Sequence, residues 1–312
     1  MKVLVTGGAG YVGTALIPML LSAGHKVTVF DNLSYGGEVL IPFLHNKQFT
    51  FIKGDIRHIG SLRKAVQKQD VVIHLAALAG YKMCDIDKEA AHTIHVVGTL
   101  NLVNCLTETQ ALIYSSTGCN YGNINIDIVT EKTPLNPTSL YGQTKTEAEY
   151  CCMTRANSIA FRFATAFGCA PRLRLDLLVN DMTYLGATQG FLMIYQPDFM
   201  RSFIHVRDMA QSFMFAINNL DQMVGNVYNV GSDSMSYSKR DLAELISKHT
   251  KCVVQYNDFD YDRDHRNYNT SYEKITKLGY NTTITLEDGI TELLSACELL
   301  NLQSKRYYNL GE

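Results

Sequence analysis

Tyr141 and Lys145 stand four residues apart in Tyr141-Gly142-Gln143-Thr144-Lys145, so a helix through them puts phenol and ammonium on one face. Such a pair can move a proton to and from a hydroxyl. A free phenol titrates near pH 10, so a base useful at neutral pH needs a shift of roughly three units. An ammonium at about 4 Å, in an effective dielectric near 20, supplies about 4 kcal/mol, which is of that size. The spacing alone is common: 18 tyrosines, with Lys at roughly one residue in twenty, yield about one such pair by chance. Context carries the reading. Pro134 and Pro137 precede the pair, Ser139 can cap its helix, and Ser115-Ser116-Thr117 ends the preceding apolar run. In an open α/β sheet that edge is where ligands bind, so Thr117 is expected to bond a substrate oxygen and share the proton movement.

A second pattern opens the chain. Val3-Leu4-Val5-Thr6-Gly7-Gly8-Ala9-Gly10-Tyr11-Val12-Gly13 reads as a strand, a glycine turn and a helix start. Gly7 permits the tight turn, Gly10 lets backbone approach a pyrophosphate, and Gly13 lets helix pack on strand, with the helix N-terminus facing the anion. Asp31 follows at the end of the next apolar run, where a carboxylate can accept both hydroxyls of an adenosine ribose. The neutral Asn32-Leu33-Ser34 that follows offers no cation for a 2′-phosphate, so the expected cofactor is NAD and not NADP. Asp55, in Gly54-Asp55-Ile56-Arg57, is read equally as an adenine-side residue or as a turn cap.

These residues need a scaffold that delivers them to one edge. Short apolar runs at Lys2–Thr6, Lys26–Phe30, Thr50–Lys53, Val71–Leu75, Ala111–Ser115 and Ala160–Phe163 alternate with helical patterns at Tyr11–Ala23, Ile59–Gln67, Lys88–Thr107 and Ser139–Thr154. That alternation predicts an α/β fold, a Rossmann-type doubly wound parallel sheet. It fails after about Phe167. A loop-rich stretch to Arg201, an apolar run at Ser202–His205, a helix at Val206–Asn218 and a strand at Asn226–Val230 come next. The expected organisation is a dinucleotide-binding part, 1–169 with 203–231 returning to it, and a smaller interwoven substrate-binding cap, 170–202 and 232–312.

Composition is that of an ordinary soluble globular protein able to bury a large apolar core: 312 residues, 46% hydrophobic, 19% charged, net charge -2. Such a balance gives no reason to expect nucleic acid or an acidic membrane as partner. The chain opens without a signal peptide or a membrane span, so a cytoplasmic location is expected. Eight cysteines include no C-x-x-C pair, so reduced thiols and no metal site are expected.

The chain resembles the extended short-chain dehydrogenase/reductases, in particular the NAD-dependent epimerase/dehydratase group acting on nucleotide sugars. The carriers, besides the glycine turn, are Gly54-Asp55-Ile56-Arg57, His74-Leu75-Ala76-Ala77, Gly98-Thr99-Leu100-Asn101-Leu102, Ser115-Ser116-Thr117, Tyr141-x-x-x-Lys145 and Arg201-Ser202-Phe203-Ile204-His205-Val206-Arg207-Asp208. The resemblance implies NAD contacts from Gly7, Gly10, Tyr11, Val12, Gly13, Asp31, Asn32, Asp55, Ile56, Leu75, Ala76, Ala77, Ser115, Tyr141 and Lys145. It implies a nucleotide diphosphate sugar as substrate. Thr117 and Tyr141 would handle the sugar hydroxyl proton, giving a keto-sugar, and Lys82, Thr117, Asn180, Arg201, Arg263 and Arg266 would face the substrate. A homodimer built on Lys88–Thr107 and Ser139–Thr154 is implied as well.

Departures from the family pattern bear on the outcome. Dehydratases of the group carry an acidic pair at the positions of Gly118 and Cys119, which points here to 4-epimerisation. Cys119 also matches the acid/base cysteine of members that epimerise carbons beside the ketone, but Leu177 stands where their second base falls. His95 and Thr165 each replace a common Asn, and a lone His on a helix is more often a hydrogen-bonded core residue than a catalyst. Dehydration, or C3/C5 epimerisation and reduction through Cys119, is the first alternative. A non-catalytic NAD or nucleotide sensor is the second.

Overall fold

The computed structural model describes residues 1–124, 126–257, 268–300 and 307–309. Its strands are β1 (Lys2–Thr6), β2 (Lys26–Asp31), β3 (Phe49–Lys53), β4 (Val71–His74), β5 (Ala111–Thr117), β6 (Ile128–Val129), β7 (Ser158–Phe163), β8 (Thr165–Phe167), β9 (Phe191–Tyr195), β10 (Met200–His205), β11 (Asn226–Val230), β12 (Ser236–Ser238), β13 (Val253–Asn257) and β14 (Asn269–Thr270). Seven of them form a parallel sheet in the order β11-β7-β5-β4-β1-β2-β3. Strand order reverses at β1 and β4, which pair from Val3 with Val71 to Thr6 with His74. Their carboxyl ends therefore open a crevice, and the glycine turn and Leu75 sit at its mouth.

The helices are α1 (Tyr11–Ser22), α2 (Ile59–Val66), α3 (Tyr81–Ile86), α4 (Lys88–His92), α5 (Gly98–Cys105), α6 (Leu140–Met153), α7 (Leu178–Gln189), α8 (Val206–Asn218), α9 (Leu220–Met223), α10 (Lys239–Thr250), α11 (Glu273–Thr276) and α12 (Leu286–Leu299). β-branched and aromatic runs fill β1, β4, β5 and β7 because both faces of a parallel sheet are covered. On one face, Leu16, Ile17 and Leu20 of α1 and Phe213 and Ile217 of α8 pack on Val5, Ile73 and Phe161. On the other, Leu62 of α2, Leu102 of α5 and Ala148 of α6 cover Leu4, Val72 and Leu112.

Two elements differ from the sequence expectation. The stretch 88–107 is not one uniform helix: α4 ends at His92, a wide π turn covers Thr93–Val97, and α5 stops at Cys105. The inserted turn carries His95 inward, where its ring is 2% exposed. The apolar run at 202–205 belongs to β10, which leaves the main sheet and pairs with β8 and β12. The chain rejoins the seven-stranded sheet at β11. Between and after these points α7, α10 and α12 enclose another apolar core, with Leu175, Val179, Leu242, Ile246 and Ile290 nearly inaccessible. Among the described residues no helix is long and apolar enough to cross a membrane.

Candidate active site

The glycine turn is built with no room to spare. Gly7 adopts φ +72°, and a Cβ there would lie 2.6 Å from the Ala76 nitrogen; a Cβ on Gly13 would meet the Gly8 carbonyl. Backbone thus approaches as closely as it can, which leaves the mouth of the crevice clear. Gly10 caps α1 without a side chain, so the first N–H groups of the helix, at Tyr11, Val12 and Gly13, face outward as anion donors. Asp31 shapes this turn: its carboxylate accepts the Ala9 N–H at 3.0 Å and the Leu33 N–H at 2.8 Å. Burial raises its pKa and those two bonds lower it, burial being the larger. Each oxygen keeps lone pairs for a ribose. Asn32 donates to Asp55 at 3.2 Å, tying the ends of β2 and β3 together.

Asp55 is bonded within its own turn. Its carboxylate accepts the Arg57 N–H at 2.9 Å and the Arg57 guanidinium at 2.7 Å, and that pairing holds its pKa down at about 2. It is a turn cap paired with its own neighbour. Ile56 is 4% exposed and packs under Gly98. Leu75 donates from its N–H to the Thr6 carbonyl, and Ala76 lies against Gly7, so 75–77 form the wall opposite the glycine turn. These residues fit a dinucleotide: a clear backbone cradle, an uncapped helix end and an acid at the ribose side.

Tyr141 and Lys145 lie in the first half of α6, whose Ser139 cap accepts the Gly142 N–H at 3.1 Å. Lys145 is enclosed and Tyr141 is half-buried. Lys145 is 4% exposed, donates to the Ser115 carbonyl at 2.5 Å and rests 4.2 Å over the Tyr114 ring. Burial lowers its pKa to about 8. The Tyr141 phenol has its pKa raised well above the usual value, first by burial and then by Cys119 and Cys84, while a hydrogen bond with Thr117 pulls it down. Burial thus opposes the acidification of Tyr141 that the sequence reading expects from Lys145. The ammonium is held by the Ser115 carbonyl and the Tyr114 ring, and desolvation of the phenol outweighs the cations near it. Thr117 and Tyr141 do come together, as the spacing required.

Cys119 follows in the short turn Gly118–Tyr121 and donates its N–H to Thr117 Oγ at 3.2 Å. His95 is a hydrogen-bonded core residue. Its Nδ1 bonds the Thr144 hydroxyl at 2.7 Å, and its Nε2 lies 3.0 Å from the Leu78 N–H and 3.1 Å from the Leu78 carbonyl. Burial lowers its pKa to about 3, so the ring is neutral.

The sequence reading missed the network beneath this site. Glu149, one turn past Lys145, accepts the Ser116 hydroxyl at 2.5 Å, Asn120 at 3.0 Å and the Arg162 guanidinium at 2.6 Å. Arg162 also donates to the Tyr121 hydroxyl, which donates to Asn229 at 2.6 Å. The network clamps both sides of Thr117. The available signal was an acid continuing the Tyr141–Lys145 face and an arginine inside an otherwise apolar strand.

Next to Thr117 in the chain, Gly118 lines a small cleft together with Thr165, Arg162, Arg201, Ser202 and Tyr272, among others. Arg201 is 4% exposed and donates to the Met200 carbonyl at 2.9 Å. Arg263 and Arg266 lie outside the described residues. Lys82, exposed on α3, acts on the buried Asp181 of α7. Asn180 bonds backbone on both sides: its side-chain amide donates to Gly168 O at 3.2 Å and Arg174 O at 2.7 Å, and its oxygen accepts the Gly168 N–H. It shapes the bend after β8.

A family model described as "NAD dependent epimerase/dehydratase family" matches residues 3–231. A UDP-glucose 4-epimerase of Corynebacterium glutamicum is 29% identical over 274 residues, covering 80% of each chain. A dTDP-D-glucose 4,6-dehydratase of Mus musculus is 26% identical, covering 93% of this chain and 86% of its own. Among solved structures, the Thermus thermophilus UDP-glucose 4-epimerase complex with NAD has a TM-score of 0.83 at 22% identity, over 96% of this chain and 99% of that one.

Proposed function

The chain belongs to the NAD-dependent epimerase/dehydratase family, and from that premise we propose a nucleotide-sugar epimerase that inverts C4 through a transient 4-keto sugar. It is an enzyme of the extended short-chain dehydrogenase/reductase type and its cofactor is NAD. The relatives include both 4-epimerases and 4,6-dehydratases, so the choice rests on this chain's own residues. One observation carries it: the turn after Thr117 presents Gly118 and Cys119, and no carboxylate, beside the Thr117–Tyr141 pair. Eliminating water from a keto-sugar needs an acid and a base there; turning the sugar over needs neither.

In this reading Thr117 and Tyr141 receive the C4 hydroxyl proton and return it, and Lys145 stays fixed by Ser115 as the nearby cation. Bound NAD supplies the hydride acceptor and a positive ring whose charge favours the phenolate. The buried phenol is neutral before then, which suits it to the return half-reaction, where it gives its proton to the developing alkoxide. The seclusion of Tyr141 and Lys145 excludes water from the keto stage. Arg201 holds the diphosphate in the cleft, Lys82 stands at its α3 side, and the part formed by 170–202 and 232–312 supplies the substrate side. Pairing of two copies through α5 and α6 belongs to the same reading, supported by exposed Leu100 and Tyr150 on those helices.

The test is a panel of nucleotide sugars in deuterated water, read by mass and by NMR of the product. The C4 reading expects an epimer with no change of mass and no deuterium. Loss of 18 mass units would overturn it in favour of dehydration. Deuterium beside the ketone carbon would favour the reading through Cys119, whose thiol lies near enough to the phenol to influence it.

A further inference from the structure

Residues 172–176 alternate between two environments. Leu173 and Leu175 are sealed in the α7–α10–α12 core, 3% and 1% exposed, while Arg172, Arg174 and Asp176 turn to polar and aromatic neighbours. Arg174 and Asp176 form a two-bond ion pair at 3.1 and 2.6 Å. Arg172 has no such partner. Its guanidinium donates to the Leu173 carbonyl and to Asn309 Oδ at 2.8 Å, and lies 4.9 Å over the Tyr35 ring. Its Nε has no hydrogen-bond partner among the described residues, and the side chain is 95% withdrawn from solvent. Among the described residues its hydrogen bonds go only to neutral groups; Asp176 and Glu38 act on it through space and Arg174 opposes them, so an anion brought against the guanidinium would offset burial that still dominates.

Its neighbours identify the anion. The Arg172 N–H donates to Thr14 Oγ at 3.3 Å, in the helix whose first-turn N–H groups are uncapped. Tyr35 comes from the loop that leaves Asp31, and Asp31 is bonded to Ala9 of the glycine turn. The backbone of Arg172 is thus tied to α1, and its guanidinium lies over the ring of the loop after β2, the two elements that frame the dinucleotide cradle. The residue is carried by the segment that follows β8.

We propose that Arg172 binds the diphosphate of NAD from the cap side, with Tyr35 and Asn309 holding the guanidinium in place. The α1 N-terminus and this arginine would then both hold the cofactor diphosphate, and residues 307–309, through Asn309, would act as the latch that keeps the guanidinium in place. Tyr307 supports that latch, accepting the Leu175 N–H at its carbonyl at 2.8 Å. The inference rests on the cofactor reading and is independent of which sugar carbon reacts.

The full chain, stripped of nucleotide, is titrated with NADH by fluorescence and separately with UDP by calorimetry. Arg172→Met is expected to weaken NADH by at least about tenfold and to leave UDP within twofold. Arg172→Lys, which keeps the charge but not the fork, falls between. Asn309→Ala is expected to speed NADH release in stopped flow, and it serves where Arg172→Met does not fold. Unchanged NADH affinity and release in the variants would overturn the inference, as would a loss confined to UDP. A wild-type protein that binds no NADH would overturn the cofactor reading and the inference with it.

Discussion

The imidazole of His95 stands edge-on to the Tyr141 ring, 5.9 Å between centroids and 74° between planes. Its own hydrogen bonds run to Thr144 and Leu78, so the ring packs against Tyr141 without a free nitrogen to exchange protons with it. With both nitrogens engaged, the ring is held in place beside the phenol.

This arrangement has a signed pH dependence. His95 and His74 are both neutral in the fold, each with a pKa lowered to about 3 by burial. The unfolded chain binds their protons first, near pH 6.5, so their stabilising contribution is complete above that value and is lost as pH falls toward 3. Urea unfolding at a series of pH values is expected to show a declining free energy below about pH 6.5. His95→Asn should flatten that slope by about one proton; an unaltered slope would remove the assignment.

Tyr141→Phe is expected to lower kcat by about 10²- to 10⁴-fold while NADH affinity stays within a few-fold. Loss of turnover with retained cofactor separates an enzyme from a nucleotide sensor. Equal turnover in the variant would end the proton-transfer role of the phenol.

Lys145 sets the alkaline limb. Its folded pKa is about 8, below the usual value near 10.5, because burial disfavours the ammonium. Where that charge supports the phenolate, kcat should fall as pH rises through about 8. Folding stability moves the other way, rising between about 8 and 10.5, where only the unfolded chain still holds the proton. Lys145→Met should lower kcat by at least about 10² and abolish that limb.

Glu149 and Arg162 are both buried, and removing one partner strands the other charge. Glu149→Gln is expected to cost about 3–5 kcal/mol, seen as a lower Tm in calorimetry. Arg162→Met on that background should recover part of it. A double variant no better than the single would mean that the Ser116 and Asn120 bonds, and not the ion pair, carry the effect.

Gly13→Ala tests the cradle. The added methyl would meet the Gly8 carbonyl, so the turn must open. NADH affinity is expected to drop by at least about tenfold, with UDP affinity unaffected.

The sequence alone determined the α/β class, the glycine cradle and the Tyr141–Lys145 face, because each is written in local patterns: apolar runs, glycines at required turns, a four-residue helical spacing. Even the bounds of β1 and α8 follow from periodicity. What lies between elements distant in the chain was not legible. Only the tertiary structure decided that Asn180 bonds Gly168, that burial dominates at the Tyr141 phenol, and that Arg172 meets Thr14 and Tyr35. The physical reason is common to all three. Desolvation and hydrogen-bond partnership depend on what the fold brings within a few ångströms, and no spacing along the chain encodes that.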